Sequence, residues 1–186
     1  IAIDGSGNVY STGFFRGTVD FDPGAGVFNL TSAGVYDIYI QKLDANGNFI
    51  WAKQMGGTGA VYENGNSIAI DGSGNVYSTG TFQGTTDFDP GAGVFNLTSA
   101  GVEDIYIQKL DANGNFIWAK QMGGSGTDIG RSIAIDGSGN VYSTGYFKVT
   151  VDFDPGAGVF NLTSAGVYDI YIQKLDANGN FIWAKQ

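Results

Sequence analysis

Ile1-Ala2-Ile3-Asp4-Gly5-Ser6-Gly7-Asn8-Val9-Tyr10-Ser11-Thr12-Gly13 opens the chain and returns at Ile68–Gly80 and again at Ile133–Gly145. Two apolar runs flank the turn cluster Asp4-Gly5-Ser6-Gly7, so the stretch reads as a β-hairpin. Its second strand, Asn8 to Phe15, places Tyr10, Thr12 and Phe14 on one face and Val9, Ser11 and Phe15 on the other. The downstream segments return with it: Phe-Asp-Pro-Gly-Ala-Gly, then Asp-Ile-Tyr-Ile-Gln-Lys-Leu-Asp-Ala-Asn-Gly-Asn, then Phe-Ile-Trp-Ala-Lys-Gln. The chain is one unit written three times: 1–67 with a connector at 55–67, 68–132 with a connector at 122–132, and 133–186.

Outward from the hairpin, Thr18 to Leu30 is broken by Pro23-Gly24-Ala25-Gly26 and predicts a small inserted hairpin on the outside of the main sheet. Asp37 to Leu43 carries apolar groups on both faces, and Phe49 to Gln54 closes a second hairpin across Asp44-Ala45-Asn46-Gly47-Asn48. A sheet that is apolar on both faces must be covered on both. Nothing reads as a helix, so the cover is the neighbouring unit. The residues expected to join units are Ile38, Ile40 and Trp51, with Ile105, Ile107 and Trp118, and Ile170, Ile172 and Trp183. The expected fold is all-β: tandem β-propeller-like blades of four main antiparallel strands plus an inserted hairpin. Three blades do not close a ring, which leaves an open array unless more units or chains complete it. The connectors, opened by Gly-Gly, read as surface loops.

Composition narrows the function. The 186 residues carry a formal charge of −9 with scattered Lys and Arg, an electrostatic pattern that argues against nucleic acid. No apolar run approaches the roughly 20 residues of a bilayer span, so membrane insertion is not expected. The absence of His removes a Ser-His-Asp triad and imidazole metal sites, and the absence of Cys removes disulfides and thiolate ligands. The chain opens within a motif, which predicts an excerpt of a longer array.

Three patterns resemble chemistry. Asp20 and Asp22, with Asp87/Asp89 and Asp152/Asp154, are paired carboxylates, but a pair present in triplicate on a turn reads as solvated turn chemistry rather than a glycosidase. Asp44-x-Asn46-x-Asn48 begins like a calcium loop, then fails at Phe49 and Met55, where Gly and Glu are needed; Asp4-x-Ser6-x-Asn8 fails at Val9. Capped Asx turns are the simpler reading, with calcium the one cofactor left open. Gly57-x-Gly59 and Gly124-x-Gly126-x-x-x-Gly130 lack the spacing of a dinucleotide loop.

The copies differ mostly around the end of the second strand, a region expected to be exposed. These positions are the candidate ligand contacts: Phe14, Arg16 and Tyr36, with Thr81, Gln83 and Glu103, and Tyr146, Lys148 and Tyr168.

The motifs Asp-Gly-Ser-Gly-Asn-Val-Tyr-Ser-Thr-Gly, Asp-Ile-Tyr-Ile-Gln-Lys-Leu-Asp-Ala-Asn-Gly-Asn and Ile-Trp-Ala-Lys-Gln resemble the bacterial β-propeller repeat known as SBBP. The resemblance implies a secreted or cell-surface location more than any chemistry. The Phe-Asp-Pro-Gly insertion makes these units longer than a typical blade of roughly 40–50 residues. The expected function is a non-enzymatic extracellular structural or adhesive repeat protein, self-associating or continued by further repeats, with assembly by blade-to-blade packing. The alternative is a multivalent lectin-like propeller that binds glycans through one weak site per unit.

Overall fold

The computed structural model describes residues 1–58 and 62–186; the first connector and the Gly57-x-Gly59 pattern therefore lie partly outside the described residues. The first blade contains β1 (Ala2–Ile3), β2 (Val9–Phe15), β5 (Asp37–Leu43) and β6 (Phe49–Met55), with β3 (Thr18–Asp20) and β4 (Asn29–Thr31) inserted between β2 and β5. The second has β7 (Asn64–Ile70), β8 (Val76–Phe82), β11 (Asp104–Leu110) and β12 (Phe116–Gly124), with β9 (Thr85–Asp87) and β10 (Asn96–Thr98) inserted. The third has β13 (Ile129–Ile135), β14 (Val141–Phe147), β17 (Asp169–Leu175) and β18 (Phe181–Lys185), with β15 (Thr150–Asp152) and β16 (Asn161–Thr163) inserted.

Each blade is an antiparallel meander of four strands, and the described residues hold no helix and no closed barrel. In the first blade β2 pairs with β5 from Val9↔Leu43 to Phe15↔Asp37, a register that β8/β11 and β14/β17 repeat. The turn between β1 and β2 sets their own register, Ala2↔Tyr10 and Ile3↔Val9. Asp4 Oδ1 accepts from the Ser6 and Asn8 amides at 2.9 and 3.0 Å, while Gly7 takes the left-handed conformation that closes the loop.

The inserted hairpins form as the Pro-Gly break predicts. Phe21 at the base of the first packs edge-on to Phe15, with ring centroids 5.3 Å apart, and its carbonyl accepts from Gln41 Nε2 at 2.6 Å. Gly17 and Gly84 enter these hairpins with positive φ; in the third copy the same position is Val149, at φ 67°, a strained conformation for a β-branched residue.

Two expectations are corrected. The connectors are less loop than the sequence units suggest, because β12 runs on to Gly124 while β7 and β13 begin at Asn64 and Ile129. The extra residues are strand because they find partners, Asn64↔Thr81 in one blade and Ile129↔Tyr146 in the next. The variable positions are not uniformly exposed either. Thr81 is buried, donating to the Asp128 carbonyl at 3.4 Å where the connector of its own unit, leading into the third, covers it.

Candidate functional site

The blades meet at two junctions, each built from apolar faces and a clasp. Ile38, Ile40 and Met55 of the first unit pack in one core with Ile68, Val76, Phe82 and Tyr106 of the second, with Trp51 against it. Ile105, Ile107 and Met122 pack likewise with Ile133, Val141, Phe147 and Tyr171 of the third, with Trp118 against that core. Trp51 and Trp118 also donate across the junctions, to the carbonyls of Ala112 and Ala177 at 3.4 Å each. In the third unit no further blade lies against the sheet: Ile170 and Ile172 are 68% and 47% exposed, where Ile105 and Ile107 are 0%. Trp183 there lies edge-on to Tyr142, 6.3 Å away.

The clasp is the inserted hairpin. It lies against its own blade and also reaches back to the outer strand of the blade before it. β15 pairs with β12 through Gly123↔Asp152 and Gly124↔Val151, so six strands run as one sheet across the second junction. At the first junction the contact is a single bridge, Gly56↔Asp87, with the Asp87 amide donating to the Gly56 carbonyl at 3.2 Å. This explains the Gly-Gly that opens each connector. A Cβ on Gly57 would collide with the Thr85 carbonyl, and one on Gly124 with the Thr150 carbonyl. The glycines are there for the close approach of another unit's backbone.

Above the first junction opens a cleft of about 330 Å³, lined by Phe14 and Tyr36, Tyr62 to Asn64 and Asn66, Thr81, Glu103, Ile129 and Arg131. It brings together four of the candidate ligand contacts. Phe14 meets Tyr36 edge-on at 5.2 Å, Tyr36 stacks on Tyr62 at 5.2 Å, and the Arg16 guanidinium stands 6.0 Å over the Tyr36 ring. Gln83 is half-buried outside this lining. Tyr146 and Tyr168 form their own edge-on pair at 5.2 Å in the third unit, with Lys148 Nζ 5.9 Å over Tyr168. At the positions where units one and three carry rings, unit two carries Thr81 and Glu103, and there the cleft is open.

Glu63 on the cleft wall is the residue that sequence reasoning missed. Its side chain is buried; Oε1 accepts from Thr86 Oγ1 at 2.6 Å, and Oε2 has no hydrogen-bond partner among the described residues. Burial, reinforced by the charge of Asp37, pushes its carboxyl up to about 8. Asp128 holds the matching place at the second junction, with Oδ1 taken by the Lys148 amide at 3.0 Å and Oδ2 by the Gly124 amide at 2.9 Å. Burial raises it only to about 6, because those two amides favour its charged form. The signal available in the sequence was a carboxylate at the same offset before Ile68 and before Ile133.

The remaining carboxylates serve the turns. Asp20 Oδ1 accepts from the Asp22 and Phe28 amides at 3.0 and 2.8 Å, and Asp44 Oδ1 from the Asn46 and Asn48 amides at 2.8 Å each. Among the described residues no cluster of acidic side chains has the arrangement of a metal site. The hydrogen bond from the Asn8 side chain does most to hold Asp4 down to about 2, as the Asn140 side chain does for Asp136.

Comparison with known proteins adds a partial family match and two distant relatives. A model of the β-propeller repeat SBBP matches residues 50–89 and 117–146. Both windows run from an outer strand through a connector into the next blade, across the junctions. The chain is 25% identical to an uncharacterized WD repeat-containing protein of Acanthamoeba polyphaga mimivirus over 98% of its length and 15% of that protein's. It is also 25% identical to the regulatory protein FlaEY of Caulobacter vibrioides over 79% of its length and 15% of that protein's. The chain thus spans about 15% of the length of the curated relatives it matches. With its four-stranded blades and with matches in register at both junctions, the chain is similar to β-propeller repeats of the SBBP type over residues 50–89 and 117–146.

Proposed function

We propose that the chain is a non-enzymatic structural repeat segment of an extracellular or cell-surface protein, in which joining one blade to the next is itself the function. The observation that carries this reading is the contrast along a single repeated strand. Ile105 and Ile107 are fully buried by the following blade, whereas Ile170 and Ile172, in the same sequence, present an apolar face to solvent. Such a face is a docking surface for another unit of the same kind, supplied by the same chain or by another copy. The edge of β18 offers the matching place for a clasp hairpin, as β12 does for β15. Identical units make every such end fit every other, and the result is a ring or a filament. The modules hold reach and spacing without turnover.

Electron microscopy of the chain, with sedimentation across a concentration series, tests this. Rings or fibres of regularly repeated units are expected, and Ile172→Asp should disperse them. Particles of one chain at every concentration would overturn it. Labelling of intact source cells with an antibody to the chain tests the surface location: labelling only after permeabilisation would overturn that part.

A further inference from the structure

The cleft at the first junction goes beyond a scaffold. It is a single asymmetric place in a molecule otherwise written in triplicate, and its walls are chemically specific. Tyr62 stacks one face on Tyr36 and remains 58% exposed, and Phe14, 53% exposed, stands beside it. Flat aromatic surface open to water is costly unless something covers it. In the same lining Glu63 Oε2 is buried and without a partner among the described residues, a polar group that a bound hydroxyl would satisfy. The polar lining is fixed in place. Asn64 donates to Asn66 Oδ1 at 3.0 Å, and Asn66 in turn to the Gly130 carbonyl at 2.7 Å.

Charge selects the ligand class. Arg131 lines the cleft, so a cation would meet a guanidinium group there. An anion would meet Glu103 on a chain of net charge −9. A neutral ligand with one apolar face and a rim of hydroxyls meets neither penalty. The volume, about 330 Å³, lies at the small end of ligand sites of roughly 300–1,000 Å³. We propose that this cleft binds a neutral pyranose sugar, stacked on Tyr62 beside Phe14 with one hydroxyl hydrogen-bonded to Glu63 Oε2. The chain then carries one sugar site at the first junction rather than one per unit, because Thr81 and Glu103 leave open the space that rings occupy in the other units.

Ligand-observed NMR by saturation transfer tests it, using the methyl pyranosides of glucose, mannose, galactose and N-acetylglucosamine at millimolar concentration. At least one should receive transfer. Tyr62→Ala should weaken it about tenfold, the loss of one stacking contact. Glu103→Tyr, which installs the residue of the other two units, should block the cleft, while Tyr168→Ala leaves binding unchanged. An unaltered melting temperature certifies the fold of each variant. Transfer to none of the four sugars would overturn the proposal, as would transfer that survives both Tyr62→Ala and Glu103→Tyr. Tetramethylammonium binding in place of sugar would also overturn it. Because the chain's assembly state does not enter the readout, this test can fail while the scaffold reading stands.

Discussion

The two junctions are built from the same apolar letters and yet are not equivalent. At the second, the clasp forms two backbone pairs, and Asp128 is short enough for both of its oxygens to reach main-chain amides. At the first, the clasp is a single bridge, and Glu63, one methylene longer, satisfies one oxygen and leaves the other without a partner among the described residues, beside an open cleft. The apolar core supplies joining at both places. The connector, together with Thr81 and Glu103, decides whether a junction is sealed or keeps a site.

The comparison is broken most severely through what the junctions share. Ile40→Ala and Ile107→Ala should each cost roughly 2–5 kcal/mol in guanidinium unfolding, nearly equally, since both fill a core between blades. Ile172→Ala, the same substitution on the uncovered face, should cost about 0.5 kcal/mol or less in the unassembled chain. Equal losses at all three would mean that the open face is covered in solution.

Next come the clasps. Gly124→Val and Gly57→Val drive a side chain into the Thr150 and Thr85 carbonyls respectively, at a cost of about 2–4 kcal/mol. Hydrogen exchange should show loss of protection at Val151 and Asp152 in the first variant and at Asp87 in the second. The former should be the larger loss, because two pairs break instead of one.

Acidity separates the junctions more finely. Both carboxyls are raised by folding, so each adds stability at low pH that is lost as the pH climbs through its folded value. That window closes near 6 for Asp128 and near 8 for Glu63. Between pH 6 and 8 only the first junction should loosen, by about 1–2 kcal/mol. Glu63→Gln should flatten the melting curve against pH across this range, and Asp128→Asn should leave it unchanged there. The smallest effect has the opposite sign. Val149→Gly restores the residue type of the other two hairpins at a left-handed position and should gain about 1 kcal/mol in thermal unfolding.

Legibility in the sequence tracks the range of the forces involved. Strands and turns were legible because alternation and Asp-x-x-Gly turn chemistry act within a few residues of themselves. The inserted hairpin was legible from Pro23 and its neighbours for the same reason. The Gly-Gly pairs were not, because their cause is the backbone of a hairpin in the following unit rather than a local turn. Glu63 was not legible within a connector that reads as a surface loop, since its surroundings come from both blades, Asp37 of the first and Thr86 of the second. Ile105 and Ile170 make the limit plain: the letters around them are nearly the same, and only the presence of a following blade decides which one is buried.

The clasp also sets an order in time. A blade's outer edge is closed by a segment that lies downstream of it, so as the chain is synthesised each finished blade waits for the next hairpin to emerge. During that wait its edge is an open template, and every hairpin in the chain has nearly the same sequence. Nearness along the chain favours the blade immediately before each hairpin, and a hairpin that misses it finds an equivalent edge on the wrong unit or the wrong molecule.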